Sequence, residues 1–125
     1  MVEGRLSRDT EVLGQMDPFV QIQYSKDTQF QTNVISNGGK NPTWNQTFEV
    51  PIYKEEHYLR IDCLDKDIIA DDLIGHTLVQ ASQLIGCTGQ HRWLSIYYKK
   101  KESGRLLLEV HYYPEGVPVL QQVHK

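Results

Sequence analysis

From Leu108 to Tyr112 the chain alternates with a period of two. Leu106, Leu108, Val110 and Tyr112 fall on one side, Glu109 and His111 on the other. Only an extended strand, whose successive side chains point to opposite faces, converts that pattern into one buried and one wet surface. Val20, Ile22 and Tyr24 repeat it against Gln21 and Gln23. The pattern predicts strands over residues 20–24, 30–35, 44–52, 59–64, 73–80, 91–98 and 105–113. One helical turn is expected at 81–85, and the cluster SNGGKNP at 36–42 marks a turn. Residues 2–6 fit the tail of an eighth strand. Seven short strands separated by turns indicate an all-β, antiparallel β-sandwich.

At 125 residues the chain makes one domain, expected over 1–114. Residues 115–125 then form a tail, either loose or packed on an exposed sheet edge. Hydrophobic residues at 39% and charged residues at 23% exclude a disordered or collagen-like chain. A net charge of −3 lacks the basic excess of a nucleic-acid binder. Apolar runs are too short to span a membrane. With no secretory signal at the start, a cytoplasmic setting with Cys63 and Cys87 as reduced thiols is expected. The five histidines are scattered, no serine or cysteine is placed by a motif, and the acids fall on loop tips rather than in a cleft. A non-enzyme is expected.

The stretch IDCLDKDIIADDLIG, residues 61–75, carries Asp65, Asp67, Asp71 and Asp72 around Ile68, Ile69 and Ala70. If consecutive strands run antiparallel, with residues 2–6 as the first, the loops at 7–17, 36–43, 65–72 and 99–104 share one end. Glu11 and Asp17 then join the four aspartates. Val12, Leu13 and Met16 stand beside Ile68 and Ile69, with Lys99, Lys100 and Lys101 nearby. A lone loop aspartate is an ordinary turn former. A convergent set is different, because each like-charge pair at ~4 Å costs about 1 kcal/mol in water and more at a protein surface. A hard divalent cation relieves that cost. Calcium, which takes loop carboxylates and carbonyls in flexible geometry, fits better than magnesium. Zinc fits poorly, because these loops hold no histidine or cysteine. The apolar pairs Val12–Leu13 and Ile68–Ile69 read as a wedge for lipid or for a partner groove, or as a cover folded over the sandwich end. The lysines make a solvated turn or add attraction to an anionic leaflet.

Four motifs carry a family resemblance: Asp17-Pro18-Phe19-Val20, Asn41-Pro42-Thr43-Trp44-Asn45-Gln46-Thr47-Phe48, Asp65-Lys66-Asp67 and Asp72-Leu73-Ile74-Gly75. In order and spacing they resemble the calcium- and phospholipid-binding C2 domain, and above all its small single-domain plant-type (elicitor-responsive) members. The resemblance implies an eight-stranded Greek-key sandwich, with the first strand here short or missing. It also implies Ca2+ ligated by Glu11, Asp17, Asp65, Asp67 and Asp72, with Asp71 as a metal ligand that could substitute for Asp72. The function expected is calcium-dependent, peripheral and reversible docking on anionic phospholipid, with Val12, Leu13, Ile68, Ile69 and the three lysines in contact. The alternative is a calcium-free adaptor that binds a protein partner. A truncated first strand leaves an edge that residues 117–123 or a partner would cover.

Overall fold

The computed structural model describes residues 1–11, 14–25, 27–52 and 57–113. Among these are seven strands and one short helix: β1 (Glu3–Leu6), β2 (Pro18–Ser25), β3 (Thr28–Gln31), β4 (Tyr58–Asp65), β5 (Asp72–Gln80), α1 (Ala81–Ile85), β6 (Gln90–Tyr98) and β7 (Lys101–Val110). All pairings are antiparallel, in the order β1-β7-β6-β5-β4-β2-β3. β5 and β6 are joined by a single pair, His76 opposite Tyr97. The sheet folds over at that weak seam, so β3-β2-β4-β5 and β6-β7-β1 become two layers.

The inward-facing apolar set predicted by the alternation meets between them. Val20, Ile22, Ile61, Cys63, Ile74 and Val79 on one layer and Leu94, Ile96, Leu106, Leu108 and Leu6 on the other form one buried cluster with Met16 and Trp44. Gly75 lets the layers close, since a Cβ there would strike Ser103 Oγ and crowd Ile96. Cys63 is a buried small hydrophobe whose thiol is pushed up to about 12 by burial, and both cysteines are free. No helix among the described residues is long and apolar enough to cross a membrane.

Two expectations are corrected. Residues 44–52 do not form a regular strand; Glu3 and Thr43 make an isolated bridge, and Asn45 turns left-handed with φ 49°. The backbone here instead follows the outer edge of β1. Gly4 N donates to Pro42 O, Leu6 N to Lys40 O, and Trp44 and Asn45 N both to Val2 O. The strand expected over 30–35 ends at Gln31, where Thr32 turns inward and its hydroxyl accepts from Val20 N at 2.8 Å. The first strand is present as the four residues of β1. It pairs with β7 on one side and is lined by residues 40–46 on the other, so that edge is covered. The tail, with residues 117–123, lies outside the described residues.

Candidate functional site

The chain enters β2 and leaves β4 side by side, because Pro18 pairs with Asp65 and Cys63 with Val20. That pairing brings the two acidic loops to one end of the sandwich. Lys66 N donates to Asp17 O at 3.0 Å, Gly39 N to Met16 O at 3.1 Å, and Ser7 and Arg8 N both to Ser103 O. All four predicted loops therefore meet at one end. The β6–β7 turn is the tightest. Lys99 and Lys100 connect Tyr98 to Lys101 with φ of 50° and 68°, positions that a two-residue hairpin usually gives to asparagine and glycine.

Asp65 is the anchor. It is only 1% exposed, and its carboxylate accepts from Thr10 Oγ1 at 2.6 Å and from Asp17 N at 2.8 Å. Asp17 is fixed in turn, its Oδ1 accepting from Asn37 N at 2.7 Å. Glu11, Asp65 and Asp72 each bring a carboxylate oxygen within 4.8 Å of the others. The Glu11 carboxyl is pushed up to about 7, first by the hydrogen bond it donates to Asp65 when protonated. The Asp65 charge, burial, and the charges of Asp67 and Asp72 follow. A glutamate holding a proton near neutrality shows how poorly this cluster tolerates another negative charge.

The other aspartates are placed differently. Asp67 Oδ1 accepts from Ile68 N at 2.6 Å, and Asp71 Oδ1 accepts from Asp67 N at 3.1 Å with Lys66 Nζ 3.7 Å away. Asp71 thus closes the loop on itself, while Asp72 faces Glu11 and Asp65. Glu11, Gln15, Asp17, Lys66, Asp67 and Ile68 line an open groove of about 370 Å³. Beyond it Ile68 and Ile69 are 100% and 96% exposed. Three residues at the site were not expected: Thr10, whose hydroxyl holds Asp65; Gln15, which lines the groove; and Asn37, left-handed at φ 56°, whose main-chain N–H holds Asp17. Val12 and Leu13 lie outside the described residues.

A family model for the C2 domain matches residues 2–96. The chain belongs to the C2 domain family. Its relatives include calcium-dependent lipid-binding protein of Arabidopsis thaliana, 29% identical over 122 residues, and elicitor-responsive protein 1 of Oryza sativa subsp. japonica, 30% identical over 84 residues. The matches cover 90% and 63% of this chain but only 24% and 52% of those proteins. Among solved structures, a C2 domain of plant extended synaptotagmin 1 superposes with a TM-score of 0.74 at 21% identity, over 85% of this chain and 84% of that one. That likeness bears out the C2-type β-sandwich. The donor chemistry of the loop end fits a calcium ion, since the convergent atoms are hard carboxylate oxygens with no nitrogen or sulfur ligand among them.

Proposed function

We propose that this C2 domain binds calcium at its loop end and through it docks reversibly on anionic phospholipid membrane. One observation carries the reading. The loop whose base sets Asp65 against Glu11 and Asp72 ends in two fully exposed isoleucines. Calcium would sit among Glu11, Asp65 and Asp72, with Asp17 and Asp67 completing the oxygen shell from the same groove. Asp71, tied to Lys66 and Asp67, would hold the loop in shape.

Without the ion, the carboxylates repel one another and the lipid phosphates. With calcium held among them, Glu11, Asp65 and Asp72 would no longer repel lipid phosphate, Glu11 would give up its proton, and the ion would supply positive charge facing the headgroups. Ile68 and Ile69 then enter the headgroup region together with Val12 and Leu13. At ~1 kcal/mol for each of the four side chains, insertion gives about 4 kcal/mol, a factor of roughly a thousand in partitioning. Lys99, Lys100 and Lys101 add attraction to the anionic leaflet. The name of the Arabidopsis relative, a calcium-dependent lipid-binding protein similar over nine-tenths of this chain, supports the same reading.

Sedimentation with phosphatidylserine vesicles tests it. The protein should pellet with calcium and stay in the supernatant with chelator. Equal binding in both conditions defeats the mechanism. Absence of calcium heat in calorimetry at millimolar concentration would favour an adaptor whose isoleucine tip seats in a partner protein.

A further inference from the structure

The far end of the β6–β7 hairpin carries a second convergence of ligating side chains, of a different chemistry. His91 lies directly opposite Glu109 across the two strands, and His111 follows Glu109 by two residues. All three project on one face. His91 Nε2 is 3.1 Å from one Glu109 carboxylate oxygen and His111 Nε2 is 2.7 Å from the other. The hairpin ends at turn 99–100 beside the acidic loops, so this trio sits at the opposite end of the same strands.

We propose that His91, Glu109 and His111 form a three-ligand site for a zinc-class divalent cation, independent of the acidic loop end. Two imidazoles and one carboxylate suit zinc and its first-row neighbours and suit calcium poorly. Directly opposed positions on antiparallel strands hold their Cβ atoms about 5 Å apart, and an i, i+2 pair shares a face, so the three side chains stand together on one patch of the sheet, each imidazole already against Glu109. The frame beneath is fixed by backbone pairing. Gly89 N donates to Val110 O at 2.7 Å, and Tyr112 N to Thr88 Oγ1 at 2.7 Å, which continues the register past the end of β7. The side chains above are free to adjust, at 61% exposure for His91, 46% for Glu109 and 42% for His111.

In the structure the carboxylate lies between the rings, one oxygen to each. On binding, each ring turns a nitrogen from carboxylate to cation and Glu109 gives one oxygen from the side. Three protein ligands leave a fourth position for water. As a plain surface ion pair the trio would contribute little to folding.

The test is titration of the full chain with zinc chloride, under saturating calcium so that the loop carboxylates are occupied. Calorimetry and histidine-ring NMR are read together. One zinc should bind per chain, shifting the ring signals of His91 and His111 together while those of His57 and His76 stay in place. His91→Ala or His111→Ala should each weaken binding on the order of tenfold or more, and the pair together should abolish it. These side chains are exposed, so an unchanged melting temperature confirms that each variant is folded. Zinc affinity unchanged in the double variant, or no binding up to about 1 mM zinc, overturns the site.

Discussion

Asp65 and Ile68 stand three residues apart and occupy opposite surroundings. Asp65 is buried, with one carboxylate oxygen taken by Thr10 and the other by the Asp17 amide. Ile68 and its neighbour Ile69 touch nothing that shields them from water. One loop therefore has a base built into the scaffold and a tip left outside it. The base lends rigidity to a charged cluster that repels itself. The tip contributes apolar surface that has no use within the fold. Under the proposed function ion binding falls to the first and membrane contact to the second, and the two parts can be broken separately.

The largest effect is expected at the base. Asp65→Ala removes the buried acceptor of two part-buried donors, which should lower folding stability in chelator by about 2 kcal/mol in urea denaturation. The same variant should lose calcium-dependent vesicle binding altogether. At the tip the pattern inverts. Ile68→Ala with Ile69→Ala should leave urea stability within about 0.5 kcal/mol of wild type. Vesicle affinity in calcium should fall roughly 30-fold, from ~1 kcal/mol lost at each side chain. Equal loss of stability in both variants would erase the distinction between base and tip.

Glu11 sharpens it through pH. Its carboxyl titrates at about 7 in the fold against an ordinary 4.5, so between those values the native state holds a proton that the unfolded chain has lost. Stability without calcium should therefore fall as pH rises from about 4.5 to 7. Calcium bound as proposed would displace that proton, so its apparent affinity should weaken as pH drops below about 7. Glu11→Gln should flatten both dependences, and potentiometric proton release on calcium addition is the direct check. The smallest effect is expected at the hairpin. Lys99→Asn with Lys100→Gly relieves two left-handed lysines and should raise stability by about 1 kcal/mol. Binding to anionic vesicles should weaken only a fewfold, and the difference should vanish at high salt.

Residues 43–52 show what the sequence could convey. Burial there alternates residue by residue, with Trp44 inside and Phe48 and Val50 packed against the core, as the pattern predicted. Regular strand pairing does not follow, because the hydrophobic period records which side faces inward, not which backbone groups bond. Left-handed Asn45 and the carbonyls of β1 decide that, and neither is written in the alternation. The acidic end was legible in its residue types and its loop parity. Its internal order was not. Thr10 reaches Asp65 across 55 residues and Asn37 reaches Asp17 across 20, through a hydroxyl and a main-chain N–H that carry no sequence signature. Asp71 and Asp72 are adjacent and chemically identical, so only the direction of each side chain separates the one facing Lys66 from the one facing Glu11.

Thermal melting in a calcium titration, without lipid, tests the central claim most directly. A cation held between Glu11, Asp65 and Asp72 binds the fold and not the unfolded chain. At a hundredfold excess over its dissociation constant it adds about 2.7 kcal/mol, raising the melting temperature by roughly 10 °C. Asp65→Ala should show no such rise. A wild-type melting temperature that stays constant up to about 10 mM calcium would contradict a calcium site at this end of the molecule.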